Sequence, residues 1–494
     1  MAASIRGKIA SGAGWIFSTR LVVNLLGLVS SFVLARLLTP EDFGLVATAI
    51  AIRAVVSSVV ALSPGLALIR LPRIGRSHLN TAWTLSILRS CLVALALSAA
   101  AYPVGMIYDD QRLFLILLVI SADALVSGFA NPALIVLEKR ITFWQLFVRQ
   151  AAEKLSSLTV ALLIAFLTGS YWALVLGGLA ASVVSVALSF AILPYRPAFS
   201  LKRFGTIWSF TQWLSFIEVL KTASNQLEFF LIPAFFSTAA LGKYSFGRQI
   251  AQLPVQEVVG PIARTLFPAF SMFGGDRKQL RRVFLETQQL FFFLSLPAGV
   301  GVALVAKPLV ALFLGEQWIG TELVIQVLSP ILAVEVLAGP ARQVLMALGE
   351  TRALFGIALK NMLLKVPLMF VGIYFFGLYG LLAALGFAGL VWTARMAIVS
   401  AEELDISLSV QLRYLARTAI SAAIMAVAVL ALQAEIVVAA PSDVDRAVSL
   451  AASVAAGVVV YLGCHWLLWL RGGRPVGPEQ TILNQVRQLR QKTT

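Results

Sequence analysis

Apolar runs of about twenty residues recur along the whole chain, and a run of that length is what a helix needs to cross the hydrocarbon of a bilayer. In lipid every backbone N–H and C=O must be satisfied within the segment, so runs of this kind fold as spanning helices. They fall at about 14–38, 43–69, 81–103, 113–136, 152–169, 172–194, 212–234, 243–267, 284–306, 320–347, 355–376, 378–399, 418–434 and 447–470. Lys307–Leu314 reads as an outer-end extension of the ninth run, and the tenth is expected to bend near Pro330 or Pro340. The expected fold is therefore an all-α polytopic membrane protein with fourteen transmembrane helices. With 59% hydrophobic and only 13% charged residues, the chain has too little charge to cover a soluble surface.

The charge is unevenly placed. Of 39 Lys and Arg, 24 fall in the segments facing one side, both termini included. Only Arg112, Lys243, Lys307 and Arg446 fall in the turns facing the other. Cations gather on the cytoplasmic side of membrane proteins, which puts both termini inside. Arg6 and Lys8 precede a first run too long for a signal peptide, so it reads as an uncleaved helix. Basic residues at span ends anchor to lipid headgroups, and no nucleic-acid partner is expected. Two cation-rich aromatic segments, Ile141–Arg149 and Phe204–Phe210, read as helices lying at headgroup level. In the tail, Ile482, Val486 and Leu489 share one helical face, which either rests on the inner leaflet or belongs to a solvated helix.

Several chemistries are missing. Cys91 and Cys464 lie far apart in apolar runs and read as packing residues. The histidines are His78 and His465, and no His/Cys/Asp/Glu group has metal-ligand spacing, so no metal or cofactor is expected. No phosphate-binding glycine loop appears, which argues against ATP as a direct driver. Asp109-Asp110 reads as a solvated turn. The outer loops are too short to hold a catalytic domain, so the chain is not expected to be an enzyme.

The charges inside the runs are more telling. Eleven are cations: Arg20, Arg36, Arg53, Arg89, Lys221, Arg248, Arg264, Arg342, Lys360, Lys365 and Arg395. Five are acids: Asp123, Glu218, Glu228, Glu257 and Glu335. At ~3 kcal/mol each, exposing all of them to lipid would cost roughly 50 kcal/mol, more than the net stability of any domain. They must face protein or water. Arg36, Arg89, Glu218 and Lys360 lie near enough to span ends to snorkel, and Glu218 with Lys221 forms a candidate i,i+3 pair. Arg20, Lys221, Arg248, Arg264, Arg342, Lys365 and Arg395 are candidates to line a cavity. The surplus of cations favours an anionic cargo, and the planar fork of arginine suits a diphosphate. Prolines such as Pro254, Pro297, Pro330 and Pro367 interrupt the runs and allow them to bend.

A weak internal repeat links Ala35–Leu45 with Ala234–Tyr244 at an offset of about 199 residues. It suggests two parallel six-helix lobes, 1–200 and 201–400, followed by a helix pair at 401–470 and a basic tail at 471–494. Repeats of this kind place a substrate path near the membrane midplane.

The opening run Gly14-Trp15, Arg20, Asn24, Gly27 and Ala35-Arg36-Leu37-Leu38-Thr39-Pro40-Glu41-Asp42-Phe43-Gly44 resembles the start of bacterial polysaccharide transporters. These are the lipid-linked oligosaccharide flippases of the MATE-like exporter superfamily. Asn225–Glu228, Ala240–Ser245, Arg248, Leu253-Pro254, Leu266–Phe270 and Leu314–Trp318 follow the order of that family. The resemblance implies a transporter of the bacterial inner membrane. It would move an undecaprenyl-diphosphate-linked sugar unit from the cytoplasmic to the periplasmic leaflet by alternating access, for exopolysaccharide, capsule or O-antigen synthesis. Its partners would be the lipid-linked oligosaccharide, membrane lipids, and the polymerase and glycosyltransferases of the same pathway. Arg20, Arg36, Arg248 and Arg264 match basic residues of the family, and Asp123, Glu228 and Glu257 are the candidates for ion coupling. Glu228 stands where the family is expected to carry Asp. A lipid II flippase or a MATE-type antiporter is the alternative within transport, and a membrane polysaccharide polymerase or ligase the alternative outside it.

Overall fold

The computed structural model describes residues 29–60, 74–139, 143–255, 276–436 and 443–473, with a few isolated positions between 26 and 270. Among the described residues every regular element is helical and there is no strand. The chain divides into two compact units, Met1–Ser245 and Phe246–Thr494.

The first unit holds six long helices: α1 (Pro40–Val59), α2 (Arg76–Ile107), α3 (Gln111–Gly128), α4 (Phe143–Thr168), α5 (Trp172–Ile192) and α6 (Phe204–Phe235). It also holds the start of α7 (Thr238–Pro254). Each begins where local chemistry dictates. Thr39 caps α1, its hydroxyl accepting from the Asp42 N–H at 3.2 Å while Asp42 Oδ2 accepts the Thr39 N–H at 2.9 Å. This reciprocal box satisfies two donors that a helix start leaves open, and Pro40 at the first helical position has no N–H to lose. Asp110 caps α3 through the Arg112 N–H at 2.9 Å. Leu45, Ala49 and Ile52 of α1 meet Val93 and Leu97 of α2 and Ile116, Leu117 and Ile120 of α3 in the core of this unit.

The internal repeat finds its physical meaning at the start of α1 and α7. A Cβ on Gly44 would lie 1.9 Å from the Thr238 carbonyl oxygen, and a Cβ on Gly242 would lie 1.7 Å from the Pro40 carbonyl oxygen. The two helices cross backbone to backbone through positions that the repeat matches to within one residue, each glycine facing the first turn of the other helix. Small residues are what allow helices in a membrane to approach this closely.

Two expected interfacial helices are instead parts of longer ones. Phe143–Arg149 forms the opening turns of α4, and Phe204–Phe210 those of α6. No glycine or proline separates the first segment from the apolar run that follows, so nothing stops the helix. Arg149 turns against α5, donating from Nη1 to Ser185 Oγ at 2.6 Å.

The second unit holds α8 (Arg277–Leu304), α9 (Thr321–Glu335), α10 (Ala338–Leu348), α11 (Thr351–Leu404), α12 (Leu408–Ile436) and α13 (Asp443–Arg471). The basic run Arg277-Lys278-Gln279-Leu280-Arg281-Arg282 opens α8, capped by Asp276, which accepts from the Lys278 and Gln279 N–H groups at 3.0 and 3.1 Å. The bend expected near Pro330 or Pro340 lies at Val336-Leu337, between α9 and α10. Pro340 has no N–H to bond the Val336 carbonyl, and the chain tightens there to i→i+3 bonds, Leu337 to Val334 at 3.1 Å and Gly339 to Val336 at 2.9 Å. Helix α11 is two helices joined at Gly377, whose φ of 61° and ψ of −142° are open to glycine. The break falls between the expected runs 355–376 and 378–399.

Ten described helices are long and apolar enough to cross a membrane, the 53-residue Arg352–Leu404 among them. Their outward faces carry exposed Phe166, Leu167, Tyr374, Phe375, Val427 and Val459. That pattern suits hydrocarbon as solvent.

Candidate substrate-binding site

Three of the intramembrane charges come together within the second unit. Arg248 is on α7, Glu335 is the last residue of α9, and Lys365 is on α11. They lie near enough to interact through their charges: Glu335 acts on both Arg248 and Lys365, and Arg248 acts on Lys365. Lys365 is only 9% exposed and Arg248 is half-buried. The Glu335 carboxylate lies over the backbone of α11, where Gly389 leaves room; a Cβ there would be 1.7 Å from Oε1. Among the described residues two cations and one carboxylate act on one another here, and in a low dielectric that surplus of positive charge is felt strongly by an anion.

Two further groups of this unit belong to the same inventory. Asn361 lies one turn before Lys365, so both share a face of α11, and its Oδ1 is buried without a hydrogen-bond partner among the described residues. Arg395 is half-buried, and its Nη1 is likewise buried without a partner among the described residues. Sequence reasoning singled out Arg248, Lys365 and Arg395 but left Glu335 outside the site and passed over Asn361. The usable signals were a carboxylate between two prolines and an amide four residues from a buried lysine. Arg342 is exposed on α10.

In the first unit the candidates separate. Asp123 of α3 is buried and accepts a hydrogen bond from Arg53 Nη1 of α1, a pair that ties those helices together. Glu228 of α6 is fully buried. Lys221 is exposed, with its Nζ 3.8 Å from Glu218 Oε2, the expected i,i+3 pair. Arg36 is exposed. Arg20, Arg264 and Glu257 lie outside the described residues. Among the described residues no three His, Cys, Asp or Glu side chains are grouped to hold a metal ion.

The helix ends assigned to the outer side are pinned by charge. Arg112 bonds Asp110 at 2.8 Å and Glu41 at 2.5 Å, joining the starts of α3 and α1. Burial works against the charged form of Asp110, but the hydrogen bonds and charge of Arg112 outweigh it and hold the carboxyl below its usual range. At the opposite end, the segment after α5 is latched to α2. The Ser200 N–H donates to Thr84 Oγ1 at 3.0 Å, the Arg203 N–H to Thr81 Oγ1 at 3.3 Å, and Phe199 packs on Trp83.

Known proteins resemble this chain in both sequence and fold. The "Lipopolysaccharide biosynthesis protein WzxC" of Escherichia coli (strain K12) is 24% identical over 373 residues, covering 75% of this chain and 76% of its own. Among solved structures, the lipid II flippase MurJ in an inward closed conformation superposes with a TM-score of 0.73 at 15% identity, covering 92% of this chain and 99% of its own. An inward-facing MATE family multidrug resistance transporter of the MOP superfamily superposes with a TM-score of 0.61 at 14% identity, covering 79% of this chain and 98% of its own. The fold is thus that of the MurJ and MATE transporters. The family described as "Polysaccharide biosynthesis protein" matches residues 33–322, more than half of the sequence. This multi-pass membrane protein therefore belongs to the polysaccharide biosynthesis protein family.

Proposed function

We propose that this chain is a flippase of the bacterial inner membrane, carrying a lipid-linked oligosaccharide from the cytoplasmic to the periplasmic leaflet by alternating access. The observation that carries the reading is that Arg248 and Lys365, from helices distant in sequence, lie near enough for the charge of one to act on the other, with Glu335 acting on both. Such a site suits the diphosphate that joins a sugar unit to a polyprenyl lipid such as undecaprenol, since each arginine or lysine that meets it forms a charge-assisted hydrogen bond. Arg395 and Asn361 would add donors and acceptors for the head group, and Arg20, Arg36, Lys221, Arg264 and Arg342 would guide it along the path. The cargo changes place and not covalent structure, so no catalytic residue is assigned. The membership of a polysaccharide biosynthesis family and the fold shared with two solved transporters support the reading. A cationic drug, the cargo expected of a MATE-type antiporter, would be repelled by the same charges.

The full proposal has fourteen spans, both termini in the cytoplasm, lobes of residues 1–200 and 201–400 that rock to expose the site alternately, and a further helix pair at 401–470. Asp123 is proposed as structural through Arg53, which leaves Glu228 and Glu257 as candidates for ion coupling. The polymerase and glycosyltransferases of the same polymer are the proposed pathway partners. The test is a strain lacking this protein. It should accumulate lipid-linked sugar on the cytoplasmic side and lose surface polymer. The wild-type chain should restore export, whereas Arg248→Ala and Lys365→Ala, at equal abundance, should not. Full restoration by both variants would refute the site.

A further inference from the structure

We infer that the strap between α5 and α6 is a docking surface for the anionic phospholipids of the inner leaflet. Its polar side is fastened to α2, and its cationic and apolar side chains are turned to the headgroups. The inference does not depend on the identity of the cargo.

Composition, depth and attachment carry it. The strap, Leu193 to Arg203, holds Arg196, Lys202 and Arg203 and no acid, and all three cations are exposed. Beside them Phe199 is 73% and Leu201 54% exposed, and Phe204, also exposed, opens α6. Cations interleaved with bare apolar side chains suit an anionic lipid surface: the charges meet phosphate, and the apolar groups enter the headgroup boundary. Depth comes from α2, whose 32 residues exceed the number that spans hydrocarbon, about 20. Ile107 ends this helix before the polar turn Tyr108-Asp109-Asp110, and counting back from it puts the other edge of the hydrocarbon near Leu88. Thr81 to Thr84 then lie roughly 6–10 Å beyond that edge, at headgroup level. They lie on the side that the excess of Lys and Arg assigns to the cytoplasm. The strap is built on this part of α2. The Ser200 N–H donates to Thr84 Oγ1 at 3.0 Å, the Arg203 N–H to Thr81 Oγ1 at 3.3 Å, and the Tyr195 hydroxyl to Asn80 Oδ1. Asn131 Nδ2 donates to the Leu193 carbonyl at 2.7 Å, and Pro194 and Pro197 have no N–H to satisfy. Irregular backbone does not enter lipid-exposed hydrocarbon, so a strap tied down here stays at the wet boundary. Phe199 packs on Trp83 with ring centroids 5.1 Å apart and still leaves most of its surface open. A mere connector would carry polar groups at its exposed positions; this one displays a phenylalanine, a leucine and three cations.

The test uses the full-length protein in lipid nanodiscs, with Cys91→Ala and Cys464→Ala so that Leu201→Cys supplies the single thiol, which carries a bimane fluorophore. Quenching by a phosphatidylcholine with a headgroup nitroxide reports contact with lipid, and quenching by acrylamide reports contact with water. In discs of mixed phosphatidylglycerol and phosphatidylcholine, the label should be quenched from the lipid side and shielded from acrylamide. In phosphatidylcholine alone the balance should move toward water. Each cation near an anionic surface is worth about fivefold in that equilibrium, so Arg196→Gln/Lys202→Gln/Arg203→Gln should lower it about a hundredfold in the anionic discs. If that variant fails to fold, the two lipid mixtures compared with the three cations in place decide the matter. Equal lipid contact in both mixtures would overturn the role of anionic lipid. Full acrylamide access in both would overturn the strap as a lipid-docking surface.

Discussion

The crossing of α1 and α7 makes a sharp prediction about stability. Replacing Gly44 with Ala puts a methyl 1.9 Å from the Thr238 carbonyl oxygen, and replacing Gly242 puts one 1.7 Å from that of Pro40. Ordinary contact begins near 3.4 Å, so the helices must separate by roughly 1.5 Å to relieve either clash. Both obstacles are backbone, which has no rotamer to change. Overpacking of this kind costs about 1–3 kcal/mol, and here the separation also loosens the contacts around the crossing, which places the cost at the upper end. Alanine regains at most about 1 kcal/mol through its helix propensity. The net expectation for each variant is a loss of about 1–2 kcal/mol. The double variant should lose clearly less than twice that, because helices already parted by the first methyl have room for the second. Gly178 and Gly301 are the controls. They lie within α5 and α8 with nothing within 4 Å of a would-be Cβ, so alanine there should leave stability unchanged or raise it. The assay is the thermal unfolding midpoint of the purified full-length chain in detergent. Midpoints for Gly44→Ala and Gly242→Ala at or above the wild type, with controls behaving as expected, would refute the close crossing.

Two further outcomes follow from single contacts and use the same measurement. Asp123→Leu should destabilise by about 2 kcal/mol by stranding Arg53, whose partial exposure softens the usual cost, and the double variant Arg53→Met/Asp123→Leu should recover most of it; no recovery would mean that the pair is not coupled. Gly377→Ala should cost about 1–3 kcal/mol, because a Cβ is strained at the left-handed φ of the α11 break, and an unchanged midpoint would mean that the break does not hold that conformation.

That the described chain is a set of long apolar helices was legible because such runs are set by composition along the chain. The boundary between 355–376 and 378–399 could be read from Gly377, and the capped start of α1 from Thr39-Pro40-Glu41-Asp42. The repeat was legible too, but not its purpose: that Gly44 and Gly242 meet is a fact of three dimensions. The interfacial readings of Ile141–Arg149 and Phe204–Phe210 went astray because cations and aromatics signal depth in the membrane, while the helix itself continues unless something breaks it, as it does from Phe143 and from Phe204. Within the candidate site, cost alone identified Arg248 and Lys365 as residues that cannot face lipid. It could not assign partners. Arg53 and Asp123 lie 70 residues apart, and nothing local links them. Glu335 joined its two cations only once α9, α7 and α11 were placed.

The central claim is that the buried cations carry a lipid-linked anionic head across the bilayer. The most direct measurement reconstitutes the full-length protein in liposomes with a lipid-diphosphate-linked sugar and follows the fraction of that lipid reaching the opposite leaflet, read by an enzyme that modifies the sugar only from outside. The wild-type chain should equilibrate the leaflets, and the Arg248→Ala/Lys365→Ala double variant should not exceed protein-free liposomes. Equal rates for the double variant and the wild type would contradict the account.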